Sequence, residues 1–216
     1  MPATAPRRTR GRPRGGGNTP DQARTLLMDA AERSMLSRGF AASTMDLIAR
    51  EAGYSRAAIY RHFPNRRSLL AALVQRTTTR YQLSIGDRLP AAATLPEIIV
   101  EALVIVATEL VHDPLLQTIS EQAEEGLVAH LVADSPDLPA MVEAILAEAG
   151  AGQVRPGLRP VDIAQFIVST AVTLLLGVVP GTTHPETARR YLETFVLPAI
   201  FVDPPTPRPV FTETSG

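Results

Sequence analysis

The residues Ser55-Arg56-Ala57-Ala58-Ile59-Tyr60-Arg61-His62-Phe63 bring several chemistries onto one short helix. Arg56 and Arg61 carry planar guanidiniums that can fork onto a guanine edge or a phosphate. Tyr60 has a phenol long enough to reach a phosphate. Ala57 and Ala58 are small, so the start of the helix can approach the floor of a major groove. Ile59 and Phe63 lie four residues apart and share the face expected to turn into a core. Nearby, the starts of helices expected at Thr44, Ser55 and Arg66 leave free backbone amides where anions bind, and Arg66-Arg67 add charge there. Thr44 and Ser55 also suit plain helix capping, and the two roles are compatible.

A second cationic cluster, Arg10-Gly11-Arg12-Pro13 flanked by Arg7, Arg8 and Arg14, resembles the core of an AT-hook. Glycine and proline keep such a backbone narrow and extended, so Arg10, Arg12 and Arg14 can lie in an A·T-rich minor groove with its enhanced negative potential. A solvated basic tail is the competing reading of the same residues.

These residues need elements to position them. Residues 1–18 are Pro-, Gly- and Arg-rich without apolar periodicity, which predicts a disordered basic arm. Thr19-Pro20 then reads as an N-cap with proline at the first helical position, and Leu27, Ala30, Ala31, Ser34 and Met35 recur at helical spacing up to Gly39. A short helix from Thr44 to Gly53, with Leu47, Ile48 and Ala52 inward, is followed by another from Ser55 to about Phe63, stopped by Pro64. The intervening Gly53-Tyr54 is too short for anything but a sharp turn, so residues 19–65 read as a three-helix, helix-turn-helix domain. A connecting helix, 66–88, carries Leu69, Leu70, Leu73 and Val74 on its inner face.

Residues 89–202 form the expected C-terminal domain. Helices are predicted at Pro96 to Val111, Pro114 to about Ala133, Leu138 to Ala149, Pro160 to Val179 and Pro185 to Phe201. No stretch alternates with period two, so the fold class is all-α, and the Pro-rich tail 203–216 is expected to be disordered. Ile163 to Val179 is apolar on all sides, yet it is shorter than the roughly 20 residues of a membrane span and lacks basic anchors. Such a helix is buried on all sides when a second copy covers one of them. A homodimer with a four-helix seam is therefore predicted, with Val168, Val172, Leu176, Leu192 and Phe195 as interface candidates.

Composition narrows the function. The chain has 216 residues and a net charge of −1, but all 21 cationic side chains are arginine and cysteine is absent. P-loops and Schiff-base enzymes need a lysine, and thiolate catalysis, disulfides and cysteine zinc fingers need a cysteine, so all are excluded. None of His62, His112, His130 and His184 forms a His-Glu-x-x-His pair, so no metal and no cofactor is expected. Residues 1–88 hold 16 arginines against six acidic residues, a balance of +10, whereas residues 89–216 hold five against 16, a balance of −11. One half suits a polyanion and the other does not. The basic start is followed by glycines rather than an apolar run, so the protein is expected in the cytoplasm.

The ordered set Ala30-Ala31, Gly39-Phe40, Thr44-Met45-Asp46-Leu47-Ile48-Ala49, Ala52-Gly53-Tyr54-Ser55, Ile59 to Arg66 and Leu69-Leu70 closely resembles the N-terminal domain of the TetR family of transcriptional regulators. The resemblance covers about 60 residues. It implies a helical ligand-binding domain and a two-fold dimer on a palindromic double-stranded DNA operator, most often as a repressor released by a small molecule. By position it implies that Arg56, Ala57 and Tyr60 meet bases or adjacent backbone, that Thr44, Ser55, Arg61 and Arg66 hold phosphates, and that His62 makes a backbone contact or packs. Two positions depart from the family pattern: Arg66 stands where a lysine is usual, and Ala57 where a glycine is common after Arg56.

The C-terminal half has no sharp motif. Thr108, His112, Gln117, Gln165 and Thr170, polar groups on apolar helices, are candidates to orient a largely apolar effector. Two other functions compete: a non-specific architectural DNA binder using the basic arm, and a serine hydrolase built on Gly53-Tyr54-Ser55-Arg56-Ala57. The second is one residue from a nucleophile elbow but lacks the preceding strand that an elbow needs, so no enzyme is expected. From sequence alone, Arg56→Ala should relax specificity, whereas Arg66→Ala should weaken binding to all duplexes and lower the salt slope of affinity by about 1, measured by titration over a salt series.

Overall fold

The computed structural model describes residues 18–135, 137–149 and 152–211. Most of the basic arm, including Arg10, Arg12 and Arg14, therefore lies outside the described residues. Helix α1, Pro20–Arg38, opens with a capping box: the Thr19 hydroxyl accepts from the Gln22 amide at 3.2 Å, and the Gln22 side chain accepts from the Thr19 amide at 2.9 Å. Thr44, Ser55 and Asn65 cap α2, Met45–Glu51, α3, Arg56–His62, and α4, Arg66–Arg88, each accepting an amide three residues on. In α2 the inward places are taken by Met45, Ile48 and Ala49, while Leu47 and Ala52 are half-buried.

The C-terminal half comprises α5, Leu95–Thr108, a 3-10 turn at Leu110–His112, α6, Pro114–Gln122, α7, Leu127–Ala133, α8, Asp137–Ala149, and α9, Pro160–Leu175. It closes with α10, Pro185–Tyr191, a π-helical segment, Leu192–Val196, and α11, Leu197–Ile200. The fold is all-α: among the described residues β pairing is limited to an isolated bridge between Val154 and Phe201. The single helix expected over 114–133 is instead two, because Gly126 adopts φ +74° and starts α7 afresh. Likewise α9 stops at Leu175 rather than 179, with Gly177 at φ +65°. No helix among the described residues is long and apolar enough to cross a membrane.

The tail also departs from expectation as far as residue 211. Arg208 pairs with Glu193 at 2.7 Å, its amide donates to the Thr194 hydroxyl at 3.3 Å, and Val210 is buried. Four prolines in 203–209 hold this segment extended without helical hydrogen bonds, which lets it lie along the final helix.

Two cores result. The second gathers Leu95, Ile99 and Leu103 of α5 with Ile163, Ile167 and Leu174 of α9 and the final helix. The first does not stop at the expected domain border: Leu27, Ile48, Ile59, Phe63 and Leu73 share it with Leu115, Leu116 and Ile119 of α6 and with Val128, Leu131 and Val132 of α7.

Gly39 sits where α6 meets the turn after α1. Its backbone has φ +84° and ψ 163°, and a Cβ there would meet the Gln122 side chain at 3.0 Å. Gly39→Ala is therefore expected to cost about 1–3 kcal/mol, read as a lower denaturant midpoint at unchanged slope.

Candidate nucleic-acid interface

Ile59 and Phe63 are fully buried beneath α3, and Arg56, Ala57, Tyr60 and Arg61 remain exposed. The seven-residue helix thus keeps its apolar pair inward and leaves the guanidiniums and the phenol to solvent. Arg56 pairs with Asp46 of α2 at 2.6 Å, and its guanidinium lies 5.6 Å from the Tyr60 ring centroid. Both partners of the ion pair are largely exposed, so it is worth at most about 1 kcal/mol and breaks at little cost. Asp46 was missed from sequence; an acid at the second position of a helix facing the next helix's first arginine is the signal that identifies it.

The Thr44 and Ser55 hydroxyls accept from the Leu47 and Ala58 amides at 3.3 and 3.2 Å. An accepting hydroxyl keeps its own proton, which remains available to a phosphate oxygen. His62 is half-buried, and its carbonyl accepts from Arg24, whose guanidinium stacks 4.5 Å over the Phe63 ring. Tyr54 accepts a bond from Asn18 at 2.7 Å, which fixes the last described residue of the arm beside the turn. The element before Ser55 is α2 and not a strand, so the hydrolase elbow is absent.

Arg66 departs from the expected phosphate contact. Its guanidinium lies 4.0 Å over the Phe40 ring, and Nη2 donates to the Phe40 carbonyl. Its Nε is buried without a hydrogen-bond partner, and burial lowers the pKa of the group from its ordinary value. Arginine at this position clasps the start of α4 to the turn after α1, a planar stacking role that an ammonium cannot reproduce.

The expected effector residues also move. Thr108 and Thr170 donate to the carbonyls of Val104 and Phe166 on their own helices, at 2.8 and 2.9 Å, while His112, Gln117 and Gln165 are exposed. A cavity of about 110 Å³ lies instead between α4, α5, α8 and α9. It is lined by Thr78, Tyr81, Gln82 and Ile85 of α4 and by apolar side chains including Met141, Val142 and Ala171. A groove of about 420 Å³ shares Gln82, Ile85 and Met141 with it and opens past Leu89 and Pro90. The 78, 81, 82, 85 spacing along α4 is a helical stripe and was the available signal.

Of the interface candidates, Val168 and Leu192 are buried within the chain's own core, and Val172 is half-buried. Leu176 and Phe195 are exposed, 53% and 54%, as are Phe166 and Val178. The helix that is apolar all round is thus covered on one side by its own core and left open on another.

Two variants separate these roles. Arg66→Ala is expected to lower stability by about 1.5–3 kcal/mol through loss of a charged hydrogen bond. Arg61→Ala should leave the melting temperature in place and reduce the salt slope of duplex binding by about 1.

Residues 27–73 match the sequence model of "Bacterial regulatory proteins, tetR family". The chain is 41% identical over 78 residues to the HTH-type transcriptional activator FasR of Mycolicibacterium smegmatis, a match covering 34% of this chain and 36% of that protein. The chain therefore spans about a third of the length of that curated relative. Among solved structures, the transcriptional repressor QsdR of R. erythropolis superposes with a TM-score of 0.56 at 22% identity, over 80% of this chain and 93% of that one. The TetR family repressor AlkX of Dietzia sp. strain DQ12-45-1b gives 0.56 at 20% identity, over 82% and 97%. Residues 27–73 thus carry the helix-turn-helix sequence of the tetR family of bacterial regulatory proteins, and the remainder of the chain is similar in fold to these solved repressors.

Proposed function

We propose that this protein is a sequence-specific, DNA-binding transcriptional regulator that works as a homodimer on a palindromic operator and is released as a repressor by a small apolar molecule. The observation that carries the reading is the outward set Arg56, Ala57, Tyr60 and Arg61 on α3, above buried Ile59 and Phe63, in a helix-turn-helix of the regulator family. Thr44 and Ser55 flank it as phosphate contacts. The exposed side chains of Phe166, Leu176, Val178 and Phe195 support the dimer, since large apolar groups left open to water by the chain's own core are buried by association. Two recognition helices held roughly 34–36 Å apart enter successive major grooves, and a ligand that binds a wider state better shifts the dimer off its site.

The cavity supports the effector class. Among the described residues no charged side chain lines it, and it shares lining residues with a longer apolar groove, so an uncharged molecule fits the space. QsdR and AlkX are repressors and FasR is an activator. A reporter placed behind the bound site reads the direction of control.

Selection from a random duplex library tests the whole reading. It should enrich a palindrome bound at least about 10³-fold more tightly than random DNA. Equal, salt-dependent binding to every duplex would favour an architectural DNA binder and sink operator recognition. Leu176→Glu combined with Phe195→Glu should yield a folded monomer by analytical ultracentrifugation and lose most operator affinity; a dimer surviving both changes would refute the proposed seam.

A further inference from the structure

Asp113, between the 3-10 turn and α6, has a side chain only 3% exposed. Its Oδ1 accepts from the amides of Leu115 and Leu116 at 3.0 and 3.2 Å, capping α6. Its Oδ2 accepts from Arg80 at 3.0 Å and from the Tyr81 hydroxyl at 3.3 Å, both on α4. Arg80 also faces Glu32 of α1 at 3.6 Å, and Glu32 is held by Arg76 at 2.5 Å. A carboxylate this deeply buried is tolerable only while these partners remain, so the loss of any one of them is costly.

The other end of α6 reaches the helix-turn-helix. Ile119 is fully buried in its core, and Gln122 accepts from the Ala41 amide at 3.3 Å, in the turn that leads to α2. Tyr81 meanwhile lines the apolar cavity, so one side chain touches both the ligand space and the buried carboxylate. Burial first, then the charge of Asp113, raises the phenol above its ordinary range and keeps it a donor.

We propose that Tyr81 and Asp113 form a latch: a molecule entering the cavity moves the Tyr81 ring, withdraws its hydroxyl from Asp113, and loosens the start of α6 from α4. The latch rests on the ligand-controlled reading above and assigns the residues that carry its signal. Tyr81 is the sensing residue and Asp113 a positioning residue acting through α6. Losing one hydrogen bond to a carboxylate shifts the latched population by roughly ten- to hundredfold, enough to be read at individual amides.

The uncharged fluorophore N-phenyl-1-naphthylamine serves as probe on the full chain, with binding followed by fluorescence and opening by amide hydrogen exchange. In the parent protein, saturating probe should speed exchange at 114–119 by about tenfold or more. Tyr81→Phe keeps the ring but leaves no hydrogen bond for the probe to break, so it should bind the probe about tenfold or more tightly than the parent and show fast exchange at 114–119 before probe is added and little further change after it. Asp113→Asn should behave in the same way; if it does not fold, Tyr81→Phe alone decides. Equal probe responses in the parent and Tyr81→Phe overturn the latch and leave the ligand cavity standing. Failure of the probe to bind the parent protein overturns the cavity reading and the latch with it.

Discussion

The burial of Leu115, Leu116 and Ile119 of α6 into the core of α1–α4 is the constraint on which the rest of the molecule depends. Each such side chain contributes about 1.5–3 kcal/mol through removal from water. Close-packed interiors do not deform smoothly, so α6 cannot shift without repacking α1 or α4. The helix-turn-helix is therefore not a module hung on a linker, and α4 serves both cores along its length. Its first turns bury Leu69, Leu70 and Leu73 beside α1, and its later turns present Tyr81, Gln82 and Ile85 to the cavity.

Much of this was legible in the sequence, and the reasons are local. Thr19, Thr44 and Ser55 cap helices that begin immediately after them, and Gly39 ends α1, because caps and positive-φ glycines act over a few residues. The recognition helix followed from the same local rules, with Ile59 and Phe63 inward. What failed needed tertiary information. Arg66 looks like a phosphate ligand until the Phe40 ring and carbonyl are seen to occupy it. Thr108 and Thr170 look like ligand contacts until their hydroxyls are found on carbonyls of their own helices. Val168 and Leu192 share an apolar character with Leu176 and Phe195, and only packing separates inner from outer faces.

The segregated charge also acquires a finer meaning. Several arginines in the +10 half are engaged inside the protein: Arg24 on Phe63 and the His62 carbonyl, Arg66 on Phe40, Arg76 on Asp29 and Glu32, and Arg80 on Asp113. In a chain without lysine, one residue type must serve both as interior clasp and as surface charge. The guanidinium suits the first task because its planar fork stacks on rings and bonds carbonyls simultaneously. Among the described residues, Arg56 and Arg61 of α3 are exposed for the second.

The π-helical segment Leu192–Val196 sets the rotational register of the chain's end. Pro198 cannot donate an amide bond back to residue 194, and the wider turn before it absorbs that loss. An α-helix advances about 100° per residue, so one extra residue within a turn swings everything beyond it by that angle. Phe195 points outward while Leu192 and Val196 stay inside, and the tail after Val202 emerges where Arg208 can reach Glu193. Excising a single residue here would keep the composition of the last helix and turn its outward ring and the following strap toward a different side of the protein. Orientation of that face is thus governed by residue count as much as by residue identity.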